Sequence, residues 1–183
     1  PLSLIAGGTG LVGSHVIKVL SKKSGTQIIL ARSFDSEIPQ NADLQIINFD
    51  SLSSNKVKLK NDIDHVYLCL GKRLSTHELG YMQHSARESF KLIDFEYPLS
   101  IAKLAYESGA RSIALVSAVG AQEGSFNYYF HIKGKLENEI RKIGYENVCF
   151  ARPGHLLGAR KDFRGYEIPV LESGLRIAAP FMQ

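Results

Sequence analysis

One short stretch of the chain joins the residue types that move a proton at a carbonyl. Tyr129-Phe130-His131-Ile132-Lys133 sets a phenol and an ammonium four residues apart, which on a helix is a single face. A lysine beside a tyrosine favours the phenolate and lowers the phenol pKa, so the pair suits general acid–base work at a carbonyl or alcohol oxygen. Ser117 ends an apolar run twelve residues before Tyr129. Its hydroxyl is expected at the edge where the helix carrying Tyr129 begins, placed to hydrogen-bond a substrate carbonyl and orient it. Tyr-x-x-x-Lys by itself is common by chance and usually marks a helix surface, so the position relative to Ser117 is what gives it weight.

Reducing a carbonyl also needs a hydride, and a second cluster fits a carrier of one. The apolar run Leu2 to Ala6 enters Gly7-Gly8-Thr9-Gly10-Leu11-Val12-Gly13, which opens a helical pattern. Gly7, Gly10 and Gly13 leave room for a tight turn, for a pyrophosphate and for close packing of helix on strand. The helix start then offers free N–H groups and the positive end of its dipole to phosphate. Glycines also make ordinary turns, but the strand before and the helix after are the context a dinucleotide site requires.

The next strand ends Leu30-Ala31-Arg32-Ser33, where an NAD site would carry an acid for the ribose hydroxyls. Arg32 suits a 2′-phosphate and can stack on adenine, and Ser33 can donate to the same phosphate. NADP(H) is therefore expected over NAD(H). Two alternatives stay open: Arg32 as a solvated strand end, and Asp35 turning back to a ribose. Asp50 in Asn48-Phe49-Asp50 is read equally as an acceptor for the adenine amino group or as a loop Asx turn. Lys133 would hold the nicotinamide ribose.

These residues must be held by a scaffold, and its pattern is legible. Apolar runs at about Leu2 to Ala6, Gln27 to Ala31, Leu44 to Asn48, His65 to Leu70, Ser112 to Ser117 and Asn147 to Ala151 read as strands buried on both faces. Helical spacing lies between them: Leu11 to Leu20, Tyr97 to Ser108 with Pro98 in its first turn and Gly109 after it, and Tyr129 to Ile143 stopped by Gly144. Alternation of this kind predicts an α/β fold: a doubly wound parallel sheet in three layers, the Rossmann arrangement, with its crevice at the carboxyl ends of the strands.

Composition narrows the rest. The 183 residues suit one domain, 22 basic and 18 acidic residues are scattered without a basic run, and the excess of +4 suits an anionic cofactor rather than nucleic acid. Cys69 and Cys149 sit in apolar runs and read as buried strand residues, not a disulfide or metal pair. No stretch approaches the roughly 18 apolar residues of a membrane span, so a soluble cytoplasmic protein, monomer or homodimer, is expected. The chain starts without Met and ends on Ala-Pro-Phe-Met-Gln, which points to residues missing at one or both ends.

Taken in order, Gly7 to Gly13, Cys69-Leu70-Gly71, Ile93-Asp94 before Tyr97, Ser117, Tyr129 to Lys133 and Arg152-Pro153-Gly154 resemble the atypical short-chain dehydrogenase/reductase superfamily. Within it they look like the Tat-interacting-protein-like oxidoreductases, from Leu4 to about Gly158. The resemblance implies NADP(H) binding by Gly7, Thr9, Gly10, Leu11, Val12, Gly13, Arg32, Ser33, Leu70, Gly71, Lys133 and Pro153, Gly154, His155 and Leu156. It also implies a catalytic set of Ser117, Tyr129 and Lys133. The superfamily's catalytic Asn, on the helix before the fifth strand, has no secure counterpart. Arg152-Pro153-Gly154 reads as Pro-stiffened backbone against the nicotinamide carboxamide, or as a plain rigid turn.

Lys72 to Ser89 reads as a polar connection beside the nicotinamide, where specificity is carried. His77 and His84 within it read as a surface pair rather than metal ligands. Residues 155–183 are expected to form a small substrate or lid region. Two functions follow: an NADP(H)-dependent reductase or dehydrogenase acting on a small carbonyl or alcohol, or a non-catalytic NADP(H)-binding regulator or scaffold. A nucleotide-sugar epimerase uses the same Tyr and Lys, normally with a larger C-terminal substrate domain.

Overall fold

The computed structural model describes residues 1–154, apart from 35, 36, 55, 56, 58, 60, 61 and 73. The chain divides into two compact units, Pro1–Pro153 and Gly154–Gln183. Beyond Gly154 the second unit, with the expected lid, lies outside the described residues.

Six strands form one parallel sheet: β1 (Leu2–Ala6), β2 (Thr26–Ala31), β3 (Ala42–Ile46), β4 (His65–Leu68), β5 (Ser112–Val116) and β6 (Asn147–Ala151). Their spatial order is β3-β2-β1-β4-β5-β6, the doubly wound order of a dinucleotide-binding sheet. The order reverses between β1 and β4, whose register pairs Ala6 with Leu68. Leu4, Ile5 and Ala6 are fully buried at this centre.

Side chains alternate across the sheet, and the two faces are covered differently. Leu4, Leu30, Leu68 and Leu115 join Phe90, Ile101, Leu136 and Ile140 in the main core, supplied by α3 (His84–Lys91), α4 (Tyr97–Glu107) and α5 (Tyr128–Ile143). On the other face Ile5 and Ile29 pack with Ile17 of α1 (Leu11–Leu20). Gly109 and Gly144, just past α4 and α5, have φ of +103° and +105°, the left-handed conformation expected of residues that end helices.

Several expectations are corrected. Cys149 is exposed and Cys69 only half-buried, because Cys149 lies on β6, the outermost strand among the described residues, and Cys69 just past the end of β4. Leu44 to Asn48 shifts to Ala42–Ile46. The polar connection contains a short helix, α2 (Thr76–Gly80), and α3. A Ser75–Glu78 capping box starts α2, satisfying two backbone donors reciprocally. The helix expected from Tyr97 is present as α4 with Pro98 in its first turn, and a π turn not read from the sequence, Leu92–Glu96, joins α3 to it. Among the described residues no helix is long and apolar enough to cross a membrane.

Candidate active site

Because the strands are parallel, the ends of β1, β4, β5 and β6 deliver Gly7, Leu70, Ser117 and Arg152 to one edge of the sheet. The turn after β1 is specified by backbone sterics. Gly7 has φ +87°, and a Cβ on it would stand 2.5 Å from the carbonyl carbon of Cys69. A Cβ on Gly13 would stand 2.2 Å from the Gly7 carbonyl oxygen. The Gly10 N–H donates to that same oxygen at 3.0 Å. Gly10 then caps α1 with no side-chain hydrogen bond, and the first turn holds no acid. The amides of Leu11, Val12 and Gly13 precede any intrahelical acceptor, and Thr9 and Gly10 are exposed beside them. This is a cradle of the shape and polarity that a pyrophosphate fits.

At the end of β2, Arg32 and Ser33 are exposed, with the Arg32 guanidinium 6.0 Å from the centre of the Phe49 ring. Asp50 sits in a 3₁₀ turn, Phe49–Ser54, and accepts a short hydrogen bond from the Tyr97 hydroxyl. Burial first, then that bond to Asp50, pushes the Tyr97 phenol up to about 12. The Asx-type bond at this turn belongs to Asn48, whose Oδ1 accepts the Asp50 N–H at 3.0 Å. Asp35 lies outside the described residues.

The chemistry-bearing end of α5 is held by Asn127, which the sequence reading passed over. Its Oδ1 accepts the N–H of Tyr129 at 2.9 Å, and its Nδ2 donates to the Leu79 carbonyl at 2.8 Å, tying α5 to the end of α2. An Asn directly before a helical pattern was the available signal. Tyr129 is half-buried, its ring 5.6 Å from that of Phe90. Lys133 is buried, with Nζ 2.8 Å from Oδ1 of Asp94, while Oδ2 of Asp94 accepts the Lys72 N–H at 2.7 Å. The expected lowering of the Tyr129 pKa is therefore reversed. Burial is the largest influence and raises it, Lys133 lowers it, and Asp94 raises it again. An acid inside the apolar run Leu92-Ile93-Asp94-Phe95 was the sign that Asp94 needed a partner.

Ser117 is buried, and its hydroxyl donates to Oε1 of Glu137 at 2.6 Å. Glu137 also receives Nε of Arg152 at 2.9 Å, a second, shorter bond from Nη2, and an ion pair from Arg141. Burial alone would push the Glu137 carboxyl up; the bonds from Arg152 and Ser117 and the two arginine charges outweigh it and hold it below the usual range. Ser117 is thus joined to Glu137 and Arg152, and its single proton is engaged there. Leu70 is half-buried and Gly71 exposed at the end of β4. Pro153 accepts the Val119 N–H at 3.1 Å, which extends the β5–β6 pairing past the strands, and Gly154 is exposed beyond it. His155 and Leu156 lie outside the described residues.

Comparison with known proteins agrees with this geometry. The model of the NAD dependent epimerase/dehydratase family matches residues 3–167. Protein FMP52, mitochondrial, of Candida albicans is 32% identical over 167 residues, covering 89% of this chain and 70% of its own length. Protein HTATIP2 of Rattus norvegicus is 24% identical over 165 residues, covering 87% of this chain and 64% of its own. A UDP-glucose 4-epimerase from Thermotoga maritima superposes with a TM-score of 0.67 at 15% identity, over 92% of this chain and 60% of that structure; the likeness is one of fold. The expectation of a cytoplasmic protein is overturned, since the FMP52 relative is named mitochondrial. Composition and cysteine usage describe a folded domain, whereas an organelle address is carried by separate targeting segments. The parallel sheet order, the glycine turn on its central strand and the matched residues together establish that the chain belongs to the NAD dependent epimerase/dehydratase family, as an atypical short-chain dehydrogenase/reductase that binds a nicotinamide dinucleotide.

Proposed function

We propose that the protein is an NADP(H)-dependent oxidoreductase that interconverts a small carbonyl and its alcohol. The observation that carries this reading is the half-buried Tyr129 on the same helical face as the buried Lys133, at the start of α5. Leu11, Val12 and Gly13 would bind the pyrophosphate, Arg32 and Ser33 the 2′-phosphate, and Leu70, Gly71 and Pro153 the nicotinamide side. Asp50 would accept from the adenine amino group. The bound dinucleotide supplies or accepts the hydride. Tyr129 gives its proton to the carbonyl oxygen during reduction, Lys133 holds the ribose, and Ser117 orients the carbonyl once its proton leaves Glu137.

Calorimetric titration with NADPH and NADH, followed by a carbonyl substrate screen of wild type and Tyr129→Phe, tests this. Tight NADPH binding with Tyr129-dependent turnover is expected; equal or tighter NADH binding would refute the Arg32 role.

A second reading, a dinucleotide-binding regulator without turnover, is favoured by the engaged Ser117 proton and the raised Tyr129 phenol. It predicts NADPH binding with no turnover in any variant. The epimerase reading is not separated from these by chain length, since the chain spans about 60% of the epimerase structure.

A further inference from the structure

The proton chemistry proposed for Tyr129 says nothing of what lies beyond the carbonyl, and the surface at that end of α5 is rich in exposed apolar side chains. Such residues scattered singly need no explanation, whereas several brought together mark a place where something binds. Phe126 is fully exposed, Tyr81 is 65% and Val119 57% exposed, and Leu79 is exposed as well. They come from two connections at the carboxyl edge of the sheet. Leu79 and Tyr81 lie between β4 and α3, and Val119 and Phe126 between β5 and α5.

Asn127 joins both connections to the proposed proton donor. Its Nδ2 donates to the Leu79 carbonyl at 2.8 Å and to that of Gly80 at 3.4 Å, while its Oδ1 accepts the Tyr129 N–H at 2.9 Å. Phe126 precedes Asn127 and Tyr81 follows Gly80, so the two aromatic residues flank the bonds that fix the start of α5. The loop carrying Phe126 is held along that helix. The Gln122 N–H donates to the Phe130 carbonyl at 3.1 Å, the Ser125 N–H to the Gln122 carbonyl at 3.0 Å, and Nδ2 of Asn138 to Oε2 of Glu123 at 2.7 Å. A Cβ on Gly134 would stand 2.3 Å from the Gln122 carbonyl carbon, so the close approach of loop and helix requires a glycine there. Phe126 is therefore presented by fixed backbone. The acids alongside are engaged: Glu78 accepts the Ser75 N–H at 2.8 Å in the capping box, and Glu123 accepts from Asn138.

We propose that Phe126 and Tyr81 are specificity-determining residues that receive the apolar arm of the carbonyl substrate, an aldehyde or ketone carrying an aliphatic chain or ring of several carbons. The inference rests on the carbonyl reduction proposed for Tyr129, and its bond changes are those of that reduction. A substrate whose carbonyl oxygen meets the Tyr129 hydroxyl reaches these side chains only with what extends beyond the carbonyl. Apolar surface is then removed from water in proportion to the length of that arm. Asn127 favours the substrate over a second copy of the chain as occupant: one side chain fixes both the apolar residues and the Tyr129 backbone, so the patch is continuous with the site.

The experiment compares kcat/KM for propanal and octanal with NADPH in the full chain, in wild type, Phe126→Ser, Tyr81→Ser and Phe126→Leu. Octanal should exceed propanal about tenfold in wild type, each covered methylene adding to transition-state binding. Either serine variant should cut that ratio about fivefold, and Phe126→Leu, which keeps an apolar side chain, should keep most of it. A wild-type ratio near one, or a ratio that the serine variants leave unchanged, would overturn the proposal. If neither aldehyde is reduced, the proton-transfer reading fails by itself. Calorimetric titration of octanol into NADPH-loaded wild type and Phe126→Ser then decides the inference: binding weakened by the variant supports it, and absent or equal binding overturns it. Sedimentation of the same samples reports the rival occupant. A dimer in wild type that Phe126→Ser dissolves, with no preference for octanal, would overturn the proposal and assign the patch to a second copy.

Discussion

The turn after β1 and the start of α5 lie at the same end of one sheet but are held by different physics. At the turn, backbone meets backbone: the space a Cβ would need at Gly7 and Gly13 is already filled by main-chain atoms of Cys69 and of Gly7 itself. At α5, side chains carry the contacts: Asn127 to the Leu79 carbonyl, Lys133 to Asp94, Ser117 to Glu137 to Arg152. A site of the first kind tolerates almost no change in its own residues, yet a short motif suffices to encode it. The second kind can lose its chemistry while keeping its fold, and its members are scattered over 81 positions from Lys72 to Arg152.

That contrast can be broken or sharpened by mutation. The largest effect is expected from Tyr129→Phe, which removes a hydroxyl from a half-buried ring and leaves its packing on Phe90. Turnover should fall about 10³-fold, within the range of general acid–base catalysis, with NADPH affinity and thermal midpoint nearly kept. An unfolded Tyr129→Phe would erase the distinction between the two regions.

Gly13→Ala comes next. Its methyl would fall on the Gly7 carbonyl, so denaturant unfolding should show a loss of about 3 kcal/mol, as for other overpacked sites. Calorimetry should show NADPH binding abolished with it; a stable variant that binds normally would mean the turn has slack that its geometry denies.

Glu137→Ala leaves the Ser117 hydroxyl and Arg152 without their acceptor and should cost about 2 kcal/mol, measured the same way. The Glu137 carboxyl is held below the usual range when folded, so its contribution is full above the unfolded value of about 4.3 and is lost as pH falls through the lower folded value. Glu137→Gln should therefore show a shallower loss of stability below that value than wild type. Equal acid profiles would remove Glu137 from the account. The smallest effect is expected from Arg32→Ala: about tenfold weaker NADPH binding and little change for NADH, as for one charge-assisted contact at an exposed site.

The central strands β1 and β2 were legible because strands buried on both faces are written as continuous apolar runs, whereas β3 and β6 carry such runs without being buried; α5 was legible because Ile132, Leu136 and Ile140 repeat with the helical period. What escaped the sequence was interrupted or polar. The π turn at Leu92–Glu96 has no periodic mark. Asn127 was hidden by the loop around it, and the exposure of Cys149 depends on which strand ends at the sheet edge.

The sequence by itself determined the sheet order class, the glycine cradle and the Tyr129–Lys133 pair, because each follows from local sterics or from a spacing of a few residues. Only the tertiary structure decided what those groups touch. Parallel pairing brings the ends of β4, β5 and β6 together across long stretches of chain, and it is there that Lys133 meets Asp94 and Ser117 meets Glu137. Burial, the largest influence, therefore outweighs the Lys133 charge four residues away and raises the Tyr129 phenol, and the distant Asp94 carboxylate adds to that rise.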